Sequence, residues 1–142
     1  MAKIVFIGAG SVVFASRLLT DIVYHPELRD STIALMDIDA ERLDLISKFA
    51  QVLASKYAPN MKIESTLNRR EALDGADYVV IMIQVGGLEA FELDINIPLK
   101  YGVSQEVGDT IGPGGVFRGL RTIPVLLDIC YDMEELCPNA LL

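Results

Sequence analysis

The apolar run Ile4-Val5-Phe6-Ile7 passes without a spacer into Gly8-Ala9-Gly10-Ser11, and a helical period starts at once with Val12. That junction constrains the chain more than any other. A short apolar run bounded by glycine is a buried strand, and two glycines behind it let the backbone turn sharply and approach a neighbour closely. The rest of the chain repeats the alternation. Val12 to Tyr24 reads as a helix stopped by Pro26, and Thr32 to Met36 as a second strand. Asp39 to Tyr57 reads as a long helix with Leu43, Ile46, Phe49, Ala50 and Leu53 on its inward face. Met61 to Thr66 predicts a third strand and Arg69 to Leu73 a short helical turn. Tyr78 to Ile83 predicts a fourth strand, apolar throughout as a strand covered on both faces should be. Leu88 to Tyr101, bent or ended by Pro98, and Val116 to Leu136 are the last helices.

Strands alternating with helices predict an α/β fold, a Rossmann-like doubly wound parallel sheet similar to the N-terminal domain of lactate and malate dehydrogenases. One domain over residues 1–142 is expected. Pro138-Asn139 reads as a turn and Ala140-Leu141-Leu142 as the first half of a further strand, so the fold is expected to be truncated within a strand at its C-terminus.

Composition narrows the class further. Hydrophobic residues make up 51% of the chain, too many for a disordered tail. No apolar run approaches the roughly 18 to 20 residues that span a bilayer, and Met1-Ala2-Lys3 leads into a strand without a signal region, so a cytoplasmic protein is expected. The net charge of −8 argues against nucleic acid and against an anionic membrane as partners. The two cysteines, Cys130 and Cys137, sit seven residues apart on one helix face and read as small buried hydrophobes, while His25 stands where a helix should end. A metal site made within this chain alone is not expected.

In a dinucleotide fold the first glycine of the loop permits the strand-to-helix turn, and the second lets the backbone approach a pyrophosphate lying on the helix N-terminus. Gly8 and Gly10 take those positions, and Ser11 adds a hydroxyl. Val13 stands where a third glycine would be and is expected to push the helix slightly away from the strand. Asp37, at the end of the second strand, is placed to accept from the adenosine ribose hydroxyls, and its charge would repel a 2′-phosphate, which favours NAD over NADP. The alternative for Asp37 is a helix cap, the role expected of Asp39. After the fourth strand, the backbone of Val85 and Gly86 is expected at the cofactor crevice, although Gly86 and Gly87 also suit an ordinary turn.

A second glycine segment runs from Gly108-Asp109-Thr110-Ile111-Gly112-Pro113-Gly114-Gly115 through Arg118 and Arg121 to Thr122-Ile123-Pro124. With Gly8-Ala9-Gly10-Ser11, Met36-Asp37-Ile38-Asp39 and Pro98-Leu99-Lys100-Tyr101-Gly102, it resembles the NAD- and divalent-metal-dependent glycosidases of glycoside hydrolase family 4, over essentially the whole chain. The resemblance implies a hydrolase of α-glycosides working by oxidation, elimination, addition and reduction. In that family NAD transiently oxidises the sugar C3 hydroxyl, a tyrosine base takes the acidified C2 proton, and manganese steadies the enediolate before water adds and the hydride returns.

Residue by residue, the resemblance makes Asp109 the acid that raises the basicity of the tyrosine base. Arg118 and Arg121 fall in the same motif as candidate substrate contacts, with ion-paired helix residues as the alternative. Members acting on 6-phosphorylated sugars tend to carry an arginine where this chain has Phe91, so an unphosphorylated sugar is expected, with the melibiase type first. The metal ligands, the tyrosine and most sugar contacts are expected beyond Leu142. The fragment is then expected to be inactive alone, and the full-length enzyme to be a homo-oligomer. Two other readings stay open: an NAD-dependent 2-hydroxy-acid dehydrogenase domain, and a standalone NAD-binding module without catalysis.

Overall fold

β1 (Lys3–Ile7) lies inside a parallel sheet, between β2 (Thr32–Met36) and β4 (Tyr78–Ile81), with β3 (Lys62–Thr66) outside β2. The helices are α1 (Val12–Tyr24), α2 (Ala40–Tyr57), α3 (Arg69–Leu73), α4 (Gly87–Lys100) and α5 (Gly112–Leu136). The structure is a computed structural model that describes residues 1–105 and 110–142. Among these residues the sheet has four strands in the order β3-β2-β1-β4, the doubly wound α/β arrangement expected from the alternation. The chain divides into two compact units, one formed by Met1–Ile83 with Asp132–Leu142 and the other by Gln84–Tyr131.

In the first unit the register runs Ile4 opposite Ile33, Phe6 opposite Leu35 and Ile7 opposite Met36. Ile4 and Phe6 face the same side as Ile33 and Leu35, because side chains alternate along a strand. They pack with Ala15, Leu19 and Val23 of α1 and with Leu43, Ile46, Ala50 and Ala54 of α2. Val5, Ile7, Ala34 and Met36, on the opposite face, are buried as well. The two central strands are therefore apolar on both sides, as the run Ile4 to Ile7 requires.

Three expectations about burial need correction. Phe49 lies off the inward face of α2 and is 40% exposed; Ser47 and Ala54 complete that face instead. The stripe follows the 3.6-residue period of Leu43, Ile46, Ser47, Ala50 and Ala54, and a small polar residue fits where a bulky aromatic does not. β4 ends at Ile81 rather than Ile83, and its burial falls off at Tyr78, which is 46% exposed. Val13, expected to press on the sheet, is 61% exposed, and α1 meets the core through Ala15, Leu19 and Val23.

Helix boundaries follow local chemistry. The Asp39 carboxylate accepts from the N–H groups of Glu41 and Arg42 at 3.0 and 3.1 Å, so α2 begins one residue later than expected, at Ala40. α4 passes through Pro98 and ends at Lys100, and α5 begins at Gly112, four residues before Val116. Proline is tolerated in a first turn because the N–H it lacks has no helical partner there, and so Pro113 does not delay α5. Leu141 donates its N–H to Asp77 O at 2.9 Å and accepts from the Val79 N–H at 2.8 Å, a parallel bridge beside Tyr78. The extended segment expected at 140–142 thus meets the free edge of β4 at one residue.

Candidate functional site

The strand order places a change of winding direction at β1, which has β2 on one side and β4 on the other. Open α/β sheets bind ligands outside the carboxyl ends of their strands at such a point. Here that end is the Gly8 loop. The N–H groups of Gly8 and Ala9 both donate to Met36 O at 2.9 Å, and the Met82 N–H donates to Ile7 O at 2.9 Å. The loop is thereby tied to the ends of β2 and β4.

Both glycines are required by what surrounds them. Gly8 has φ +86°, and a Cβ there would stand 2.9 Å from Met82 O. At Gly10 a Cβ would stand 2.7 Å from Oδ2 of Asp37 and 2.9 Å from Cβ of Arg42. The Gly10 N–H donates to that same Oδ2 at 2.7 Å, while Oδ1 accepts from the Asp39 N–H at 2.9 Å. Asp37 therefore joins the glycine loop to the end of β2 and does not cap α2. Each carboxylate oxygen has a second lone pair, so acceptance from a pair of vicinal hydroxyls remains chemically open. Ser11 stands at the N-cap of α1 without a side-chain capping bond, which leaves its hydroxyl for other use. A backbone cradle that a Cβ would fill, a helix N-terminus and an acid at the end of β2 fit a dinucleotide.

The second unit holds the remaining candidates. Gly86, at φ +86°, is the N-cap of α4, and a Cβ on it would meet Ala90 Cβ at 2.5 Å. Val85 O accepts from Nε of Arg121 at 3.0 Å. Arg121 then grips Asp94 with both remaining nitrogens, Nη1 to Oδ1 at 2.8 Å and Nη2 to Oδ2. Asp94 is only 1% exposed. Hydrogen bonding to Asp94 raises the Arg121 pKa against the opposing effect of burial, so the guanidinium stays charged. Arg118 is half-buried on the same helix, one turn earlier. Asp109 lies outside the described residues.

The second glycine segment has its own fastening. Gln105 donates through Nε2 to Ile111 O at 2.8 Å and accepts the Gly114 N–H at 3.4 Å through Oε1. Gly112, at φ +77°, would place a Cβ 2.2 Å from Nε2 of Gln105. Ile111, Val116, Leu120 and Ile123 line a shallow groove alongside, with no ionisable side chain among the described residues that line it. Asp94 and Gln105 were not among the candidates read from the sequence. Asp94 stands 27 positions from Arg121, a separation that no local period reveals.

No three of the His, Cys, Asp and Glu side chains gather to hold a metal among the described residues. Burial raises the Cys137 thiol, assisted by Asp74 and only partly offset by Lys3; Cys130 is half-buried and His25 exposed at the end of α1. Among the described residues no helix is long and apolar enough to cross a membrane.

A nucleotide-binding α/β domain of Rossmann type is the class that this fold and loop define. The model of the family described as "Family 4 glycosyl hydrolase" matches residues 3–142, and the chain belongs to that family. It is 47% identical over 141 residues to an alpha-galactosidase of Bacillus subtilis (strain 168), covering 99% of this chain and 33% of that protein. It is 45% identical over 142 residues to a 6-phospho-beta-glucosidase of Escherichia coli (strain K12), covering 97% of this chain and 31% of that protein. Among solved structures, it superposes on a 6-phospho-alpha-glucosidase from gut microorganisms in complex with NAD and Mn2+, with a TM-score of 0.87 and 28% identity. That match covers 98% of this chain and 31% of the other. The chain spans about a third of the length of the relatives it matches.

Proposed function

We propose that this chain is the NAD-binding part of a glycosidase that hydrolyses α-glycosides of unphosphorylated sugars, with an α-galactoside as first choice. The observation that carries the reading is the Gly8–Ser11 loop, held at the carboxyl end of β1 and bonded to Asp37. NAD, when bound, supplies a reversible acceptor for a hydride from a sugar carbon. The chain's part is to hold it. Gly8 and Gly10 admit the pyrophosphate at the start of α1, where the positive end of the helix dipole favours an anion. Ser11 adds a hydroxyl to the phosphate. Asp37 accepts from the adenosine ribose and disfavours a 2′-phosphate by charge. Val85 and Gly86 are assigned to the cofactor through their backbone.

By resemblance, Asp109 makes a tyrosine base elsewhere in the protein more basic, since a nearby carboxylate resists a second negative charge. Manganese belongs to the same proposal and would be held by residues other than those described here. Phe91, half-buried on α4, supports the unphosphorylated sugar because it offers a phosphate no cationic partner. The 45% identical 6-phospho-beta-glucosidase gives a specific second reading, a phosphorylated glucoside as substrate. Membership of a hydrolase family favours both over the hydroxy-acid dehydrogenase and the non-catalytic module.

The test is an assay of the native protein with NAD and Mn2+ on an aryl α-galactoside and on aryl 6-phosphoglucosides. Hydrolysis of the galactoside that stops when NAD is withheld is the expected result. Turnover of the phosphorylated substrates alone would transfer the assignment to the second reading, and reduction of 2-oxo acids by NADH would overturn both.

A further inference from the structure

Arg121 spends its guanidinium in two directions at once. Nη1 and Nη2 form a bidentate pair with Asp94 of α4, while Nε turns to the backbone oxygen of Val85, just before the left-handed Gly86. A carboxylate that is 1% exposed is costly to bury unless its partner is fixed and its oxygens are satisfied, and here both are. The turn lies against that side chain: a Cβ on Gly86 would be in van der Waals contact with the Arg121 Nε at 3.4 Å, while Ala90 Cβ, at 2.5 Å, leaves no room for one. The planar fork of arginine can hold both directions, and the point charge of lysine cannot.

We infer that Arg121 is a positioning residue: oriented by Asp94, it holds the Val85–Gly87 turn in the shape that presents its backbone to the cofactor. This goes beyond the sugar contact that the motif resemblance offers for Arg121, and it rests on the NAD-binding reading above. The turn begins four residues along the chain from the end of β4, and the guanidinium is already occupied by Val85 O and Asp94, so the proposal assigns the cofactor contact to the backbone of the turn. The pair also explains why Asp94 stands among apolar neighbours on α4. It is the anchor that keeps the guanidinium from following solvent.

Two variants of the native protein test the inference. Arg121→Lys keeps the charge opposite Asp94 but loses the fork; the double variant Arg121→Met with Asp94→Leu removes the buried pair as a unit, so that no carboxylate is left unpaired. The readouts are NADH affinity by fluorescence titration, KM for the sugar, and amide hydrogen exchange over residues 85–90. Arg121→Lys is expected to weaken NADH about tenfold, the size of one charge-assisted hydrogen bond, and to speed exchange at Gly86 and Gly87. The sugar KM measured at saturating NAD should stay within about twofold of the wild type. The double variant should reproduce the faster exchange.

Unchanged exchange at residues 85–90 in both variants would overturn the inference. So would unchanged NADH affinity accompanied by a raised sugar KM, which would make Arg121 a substrate contact. Failure of the NAD reading itself would be visible separately, as a wild-type protein that binds no NADH. The exchange data would then still decide whether Arg121 holds the turn.

Discussion

Gly10 donates its N–H to Oδ2 of Asp37 at 2.7 Å, joining the loop after β1 to the end of β2 across 27 positions of sequence. The same carboxylate is the one proposed to receive the adenosine ribose, so the proposal gives one side chain the tasks of shaping the loop and reading the cofactor. Asp37 also receives the Asp39 N–H on its other oxygen, which fixes the plane of the carboxylate before any ligand arrives. Pre-orientation of this kind lowers the cost of ordering the site on binding.

Replacing Asp37 by Arg should therefore do two things. The loss of the acceptor weakens NAD, and the reversal of charge removes the repulsion toward a 2′-phosphate. We expect the ratio of NADP to NAD affinity to rise by at least about tenfold, one such interaction being worth roughly 1.4 kcal/mol. Paired titrations of NADH and NADPH measure this, and an unchanged ratio would remove the ribose assignment.

Asp39 illustrates a purely structural acid two residues away. Its carboxylate accepts from the N–H groups of Glu41 and Arg42 and starts α2. Asp39→Ala should cost about 1 kcal/mol of unfolding free energy and leave NADH affinity within about twofold. Urea denaturation alongside the titration separates the two effects. A large loss of affinity with intact stability would mean that Asp39 touches the ligand.

Much of this was legible in the chain. Ile4 to Ile7 and Thr32 to Met36 are apolar runs of strand length, and both became the buried centre of the sheet, because burial on two faces leaves no other composition workable. Gly8, Gly10 and Asp37 were legible because a tight turn, a close approach and an acid at a strand end each demand particular residues. Phe49 misled because hydrophobicity alone does not distinguish the 43-46-47-50-54 stripe from its flank. The bond from Arg121 to Asp94 was hidden for a different reason. It joins two helices at positions with no periodic relation, and only the folded chain shows that the motif arginine is occupied.

Acid should expose a second ion-paired cluster, between α3 and the end of α5. Burial pushes the Asp132 carboxyl up, but hydrogen bonds from Arg69 and Arg70 outweigh it and hold the group below the ordinary carboxylate range. The Arg69 Nε contact is 2.6 Å and the Arg70 Nη1 contact 2.5 Å. A carboxyl depressed in the folded state contributes stability that is present above its unfolded value, near about 3.9, and lost as pH falls through the lower folded value. At neutral pH Asp132→Asn should cost about 1–2 kcal/mol, tempered by the solvent exposure of both arginines. The gap between wild type and variant should close below about pH 4, as read from urea unfolding at a series of pH values. A gap that stays constant to the lowest pH would contradict the assignment.

The proposed function requires NAD to sit at the Gly8–Asp37 loop. Gly10→Ala puts a methyl group 2.7 Å from Oδ2 of Asp37, in place of the closest approach in the loop. Overpacking of this kind costs about 1–3 kcal/mol locally and should leave the apolar core beneath it folded. The measurement is a fluorescence titration of NADH into native protein and into the Gly10→Ala variant, with far-UV circular dichroism confirming that both are folded. Saturable binding by the wild type and a loss of at least about tenfold in the variant is the predicted result. Equal affinity in the two proteins, or no binding by a folded wild type, would contradict it.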